Sequence, residues 1–303
     1  MSEQPKRKKR PISGWLVLDK PYDMTSTQAV GKIRWLFAAE KAGHAGTLDP
    51  LATGILPIAL GEATKTVPVV QDGQKVYRFT VKWGAATSTE DAEGEIVATS
   101  DVRPTAEAIA AVLPRFIGEI TQVPPAFSAI RIDGERAYDL ARAGETVVMA
   151  PRQAVVHSLV LTGSDGDSAS FEALCEKGTY VRALARDMAE ALGTRGHIVK
   201  LHRAAVGDFT EAQAVSLAAL EAASPEERDS LLLPLAAGLG ALREIRLSPG
   251  EAATIRNGNP VLLRGAGAPI ALDQAWASSA GVAVALGSVA SGQFQPRRVF
   301  VGT

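Results

Sequence analysis

The stretch that most restricts how this chain folds runs Gly43-His44-Ala45-Gly46-Thr47-Leu48-Asp49-Pro50-Leu51-Ala52-Thr53-Gly54. Its three glycines and its Asp-Pro step interrupt both helical and alternating patterns, and it holds one of only four histidines in the chain. Small residues at this density let another backbone approach closely. Asp49 has two readings. Asp followed by Pro suits a helix N-cap with proline at the first helical position, whereas a rigidly held carboxylate is what a nucleophile or general base requires. The pattern leaves both open, and one residue can do both.

A working carboxylate must stay ionised, which a neighbouring arginine enforces. Arg182 is the candidate, because it lies in the first turn of a helix expected between Gly178 and Gly193 and has no acidic neighbour one turn away. Its i+4 neighbour is Arg186, and two like charges near the positive end of a helix dipole call for an anion from elsewhere. Arg186 itself is explained by an i+4 pair with Glu190.

Around these segments the periodicity alternates between strand and helix. Trp15–Leu18 reads as a strand ending in the Asp19–Asp23 turn. A helix capped by Thr25 or Ser26 follows, with Ala29, Val30, Ile33, Leu36 and Phe37 on one face. From Val76 to Trp83 the period is two, with Tyr77, Phe79, Val81 and Trp83 sharing a face. Ser88–Glu95 reads as a long turn, Ala108–Phe116 as a helix, and strands are expected at 128–132, 155–161, 171–176 and 200–209. Glu211–Leu220 looks helical and Ser224–Asp229 reads as a charged break opening a hinge. Beyond it, Ser248-Pro249-Gly250-Glu251 has capping-box spacing. Short apolar runs at Val261–Leu263, Ile270–Leu272, Val282–Leu286 and Arg298–Val301 suggest a small β-barrel.

Composition excludes several classes. At 303 residues and 46% hydrophobic the chain has room for one large core and a small module. The single Cys175 can form neither an internal disulfide nor a cysteine-based zinc site, and suits a reducing cytoplasm. No apolar run approaches the ~18–20 residues that span a bilayer. The net charge of −1 does not by itself mark a nucleic-acid binder, and Lys6-Arg7-Lys8-Lys9-Arg10 reads as a solvated leader more readily than as a phosphate-seeking arm.

Three motifs resemble those of the bacterial tRNA pseudouridine-55 synthases, the TruB family. They are Lys20-Pro21 with Thr25-Ser26, the His44–Gly54 stretch, and Lys177-Gly178-Thr179-Tyr180-Val181-Arg182-Ala183-Leu184-Ala185-Arg186-Asp187. Lys75-Val76-Tyr77, the run from Pro124 to Ala129, and Leu201 ahead of Val206-Gly207 support the match, which spans about residues 12–210. His202 departs from it, standing where many relatives have arginine. The part from about Arg243 resembles, more weakly, the small RNA-binding PUA barrel, with Arg297 and Phe300 in the pattern of its last strand.

The resemblance implies a mixed α/β (α+β) catalytic domain over 12–235 with a long, mostly antiparallel sheet, a disordered basic tail over 1–11, and a PUA-like RNA-binding domain over 243–303. It implies isomerisation of uridine 55 in the TΨC loop of tRNA, without cofactor or metal and without an obligate protein or membrane partner. The base would be flipped out of its stack. Asp49 would be the catalytic carboxylate and Arg182 its partner. Tyr77 would stack on the flipped base and assist loss of the carbon 5 proton, although spacing alone makes it a core tyrosine. His44 would contact the RNA loop, Tyr180 and Leu201 would line the base pocket, and Lys20 would order the surrounding loops. Two other functions share these motifs: a noncatalytic tRNA-folding chaperone and a guide-RNA-dependent synthase. A zinc-dependent base deaminase needs cysteine ligands that this chain lacks.

Overall fold

Trp15, Leu16, Val17 and Leu18 are all buried, the mark of a strand covered on both faces, and they form the centre of β1 (Gly14–Lys20). The computed structural model describes residues 8–128, 130–132, 134–145 and 147–302. After β1 come α1 (Ser26–Leu36), β2 (Ala42–His44), β3 (Thr53–Leu60), α2 (Val67–Asp72), β4 (Lys75–Trp83), β5 (Ala85–Thr87), β6 (Ile96–Thr99), α3 (Ala106–Val112) and β7 (Gly118–Gln122). A small hairpin of β8 (Arg131–Ile132) and β9 (Glu135–Arg136) leads through α4 (Ala137–Arg142) to the long pair β10 (Arg152–Ser164) and β11 (Ser168–Cys175). Then follow α5 (Val181–Ala191), β12 (Gly196–Val206), β13 (Phe209–Thr210), β14 (Val215–Ser216), α6 (Leu217–Ala222) and α7 (Pro225–Ser230). The chain ends with β15 (Arg243–Arg246), α8 (Pro249–Arg256), β16 (Val261–Leu262), β17 (Leu272–Ser279), β18 (Val282–Ala290) and β19 (Gln293–Val299).

Ten strands make one mixed, mostly antiparallel sheet in the order β14-β1-β3-β12-β4-β11-β10-β7, with β13 on β12 and β2 on β3. Its middle strand, β12, runs parallel to β3 and antiparallel to β4, and α5 packs across it. In β4 the expected alternation holds: Phe79, Val81 and Trp83 are buried while Arg78 and Lys82 are exposed. Phe79 stacks on Phe171 of β11 with ring centroids 5.3 Å apart, inside the main core with Ile33, Leu48, Leu184 and Met188.

The C-terminal strands form a second sheet, a curled half-barrel in the order β15-β17-β18-β19-β16, with its own core around Ile255, Val284 and Phe294. A shared cluster joins the two sheets. Trp15 and Phe209, 5.2 Å apart, pack with Leu235, Leu239, Ala283 and Phe300. Glu62 and Lys65 extend this contact to the last strand: Lys65 Nζ donates to Val299 O at 2.8 Å and Val301 N donates to Glu62 at 2.7 Å.

Several expectations change. The single helix expected over Glu211–Leu220 is split, because Val215 and Ser216 pair in parallel with Leu18 and Asp19 at the sheet edge and Ser216 then caps α6. The hinge expected at Ser224–Asp229 is helix α7, with a complete capping box between Ser224 and Glu227. Arg228 on that helix donates to the carbonyls of Leu220, Leu36 and Ala223. Arg186 pairs with Glu90 and Asp187, not with Glu190, which faces Arg195 instead. Of the expected leader, residues 1–7 lie outside the described residues; Arg10 bonds the backbone of Ala38 and Glu40 and pairs with Asp229. Ala129, within the strand expected at 128–132, also lies outside them. Among the described residues no helix is long and apolar enough to cross a membrane.

Phe79→Ala removes a ring from the centre of the main core and is expected to cost about 3–5 kcal/mol, read as a lower denaturant midpoint at unchanged slope.

Candidate active site

The Gly46–Pro50 loop between β2 and β3 has no ladder of its own, so its carbonyls must find donors elsewhere. They do so one by one. Arg203 donates from Nη2 to Gly46 O at 2.9 Å and from Nη1 to Thr47 O at 3.2 Å, while its Nε reaches Ile55 O at 2.8 Å. The Ser26 hydroxyl donates to Leu48 O at 3.0 Å and accepts from Leu48 N at 2.8 Å. Asp49 O accepts from Ala52 N, and Pro50 O accepts from Asp23 N and from Lys20 Nζ. Lys20, fully buried, also donates to Pro21 O and Met24 O, and burial pulls its pKa down to about 8. Pro50 and Leu51 form only a turn before β3 begins, so Asp49 is not a helix cap. Gly54 closes the loop at φ +96°, where a Cβ would lie 2.4 Å from Arg203 O.

From this loop the Asp49 carboxylate reaches Arg182 Nε at 2.9 Å. Arg182 is 4% exposed, and two further carbonyls fix its plane: Nη1 donates to Thr89 O at 3.0 Å and Nη2 to Phe127 O at 2.8 Å. The anion that the lone arginine required is thus Asp49. A second carboxylate, buried Asp91, stands 3.8 Å from the same Nε, and accepts from the Thr89 hydroxyl and Glu93 N. Burial raises the Asp91 pKa, against the opposing pull of Thr89 and Arg182.

Asp49 and Arg182 line a cleft of about 690 Å³ together with Tyr77, Tyr180, Leu201 and Arg203. That volume suits a small ligand such as a nucleoside. Tyr77 on β4 is half-buried, and burial raises its pKa while Arg203, its direct cross-strand partner, works the other way. It is therefore a neutral phenol in the resting site. Tyr180 is fixed through its backbone, with N donating to Gln122 Oε1 at 3.1 Å and O accepting from Gln122 Nε2 at 3.3 Å. Lys75, also on the cleft wall and pulled by burial down to about 8, donates to Gln71 O and Gly73 O. Neighbouring Cys175 is buried, with its thiol pushed up to about 11.

The structure thus brings five of the expected residues, Asp49, Arg182, Tyr77, Tyr180 and Leu201, to one cleft. Lys20 supports the loop from behind, and half-buried His44 sits on β2 opposite Ile58, outside the cleft lining. His202 braces the sheet, with Nδ1 at 2.9 Å from Thr53 Oγ1 and Nε2 at 2.9 Å from Glu211 Oε1. Arg203, Asp91 and Lys75 were not anticipated. Their signal was weak: an arginine and a lysine in strands and an aspartate in an acidic turn read as solvated residues until the fold buries them.

In the arrangement of its strands the chain is similar to solved structures described as a Cbf5–Nop10–Gar1 complex and as an H/ACA RNP bound to a substrate RNA containing 2′-deoxyuridine. Their TM-scores are 0.73 and 0.74, each at 23% identity and over 99% of this chain, covering 91% and 92% of those chains. The large mixed sheet with its C-terminal half-barrel defines the class, a pseudouridine synthase fold, and on it the Asp49–Arg182 pair lines the cleft. Residues 34–181 match the TruB family pseudouridylate synthase N-terminal domain and residues 182–245 the tRNA pseudouridylate synthase B C-terminal domain. Among relatives, the tRNA pseudouridine synthase B of Brucella ovis is 52% identical over 99% of both chains, and that of Sinorhizobium medicae 55% identical over the whole of both. The chain belongs to the TruB family.

Ser26→Ala strips both bonds from the buried backbone of Leu48 and is expected to lower stability by about 1–3 kcal/mol, measured by denaturant unfolding.

Proposed function

We propose that this chain converts uridine 55 in the TΨC loop of tRNA to pseudouridine, with Asp49 as the catalytic carboxylate. The observation that carries the reading is the Asp49–Arg182 pair at 2.9 Å inside the cleft, on a chain of the TruB family. An aspartate can act on the nucleoside only as the carboxylate, and the adjacent guanidinium fixes its orientation. The oxygen not engaged by Arg182 is the one available to the substrate.

The base, flipped from its stack, would lie in the cleft against the Tyr77 ring, with Leu201 and Tyr180 excluding water from the detached uracil. Arg152 and Lys177 on the cleft wall suit the flanking phosphates. We assign the C-terminal half-barrel the role of a PUA-like RNA-binding unit. From residue 243 onward the chain carries six arginines against Glu244, Glu251 and Asp273, although the whole chain is at −1. His44, at the start of the catalytic loop, is assigned to the RNA loop beside the vacated position.

Purified chain alone, given a bare T-stem-loop RNA labelled with tritium at uridine carbon 5, is expected to release the label; failure without added protein or guide RNA rejects this reading. Asp49→Asn is expected to keep RNA affinity within about twofold and to abolish release, because the amide keeps the shape and loses the charge.

A further inference from the structure

The buried charged side chains among the described residues are Lys20, Lys75, Arg182, Arg203 and Asp91. All five gather around the catalytic loop and cleft, and their charges do not cancel. Arg182 has Asp49 and Asp91. Arg203, 1% exposed, forms no ion pair with any described carboxylate; it is held by the carbonyls of Gly46, Thr47 and Ile55 and by a side-chain hydrogen bond with Tyr77, all neutral partners. A buried, uncompensated guanidinium is costly to fold, and a neutral side chain could fill the same space at less cost. Its place is specific: it lines the cleft beside Asp49 and is the direct cross-strand partner of Tyr77, against whose ring the base would lie.

We propose that Arg203 supplies the positive charge that stabilises the negative charge developing on the uracil ring during the isomerisation. The inference rests on the function proposed above. If Asp49 attacks the ribose, an oxygen–C1′ bond forms as the C1′–N1 bond breaks, and the pair of that bond stays on the departing uracil. If Asp49 removes the 2′ proton, an O–H bond and a C1′=C2′ double bond form, and uracil again leaves with the pair. If Asp49 adds to carbon 6, the displaced pair moves through the ring to the carbonyl oxygen at carbon 4. Each route balances without an oxidant or co-reactant, and each puts one negative charge on the ring. A fixed charge in a water-excluded site lowers the energy of such an anion without reorganising. Arg182, already neutralised by Asp49, is poorly placed to do this.

Bonds to Gly46 and Thr47 also give Arg203 a positioning role, so its charge must be tested separately from its support of the loop. Single-turnover loss of the target nucleoside is followed in two T-stem-loop RNAs, one with uridine and one with 5-fluorouridine at the target. Fluorine withdraws electrons and stabilises the uracil anion by itself. Arg203→Met is expected to slow loss of uridine by about 10²–10³-fold, the scale of removing one transition-state stabiliser. The deficit with 5-fluorouridine is expected to be at least about tenfold smaller. Arg203→Lys, which keeps the charge but not the fork, is expected to show the same deficit with both RNAs. Should the methionine variant fail to fold by circular dichroism, Arg203→Gln takes its place in the same comparison. Equal deficits with the two RNAs in the neutral variant, or no deficit, overturn the inference. A wild-type chain that leaves the uridine RNA unchanged instead overturns the proposed function.

Discussion

Asp49 comes from a loop and Arg182 from the first turn of α5, so their 2.9 Å contact exists only if both segments are registered on a common support. That support is β12, which pairs with β3 where the loop ends, pairs with β4 where Tyr77 sits, and carries α5 on its face. Leu201 and Arg203 then reach the cleft because alternate residues of one strand share a face, while His202 between them points the other way to Thr53 and Glu211. A one-residue slip of β12 would turn Leu201 and Arg203 out of the cleft together. The ten-stranded sheet is in this sense the ruler that sets the distance between the carboxylate and the cleft walls.

The Gly46–Pro50 loop solves a different problem. A segment that must present a carboxylate to substrate cannot be covered by a regular ladder, yet a loose loop would blur its position. Long-range donors replace the ladder: Arg203, Ser26 and Lys20 come from three separate elements and take the carbonyls of Gly46, Thr47, Leu48 and Pro50, leaving that of Asp49 to Ala52 N. The Lys20-Pro21 and Thr25-Ser26 motif is thus explained. Its lysine and serine hold a loop distant in sequence, and its threonine caps the helix that places the serine.

Periodicity made the central strands and helices legible because each had one clear face, as in α1, β4 and β10. It failed where local chemistry served two purposes. Ser224-Pro225-Glu226-Glu227 carries the same capping box as Ser248-Pro249-Gly250-Glu251, but its dense charge reads as a break unless the cap is weighed first. Val215-Ser216, inside an alanine-rich stretch, becomes strand because the edge of β1 offers unpaired backbone groups, which no local pattern records. Arg186 chose Glu90 over its helical neighbour because burial of that pair outweighs a solvated i+4 contact. The motif residues Asp49 and Arg182 were readable. Their buried supporters were not, since an isolated arginine in a strand has no sequence signature of burial.

How a buried cation is held decides what it can do. Arg182 is ion-paired, so its field beyond Asp49 is weak and its effect is local: it orients one carboxylate. Lys20 and Arg203 are held by carbonyl dipoles, which satisfy the N–H groups without cancelling the charge. The two arrangements also differ in how they meet a polyanion. A surface pair such as Lys177–Asp72 can exchange partners and is screened as an anion arrives, whereas the carbonyl-held cations stay buried beneath the loop. On the function proposed above, RNA affinity would fall to exposed groups such as Arg152, Lys177 and the C-terminal arginines, and the field inside the cleft to the buried cations. That separation would let one set of charges bind and another act on the base.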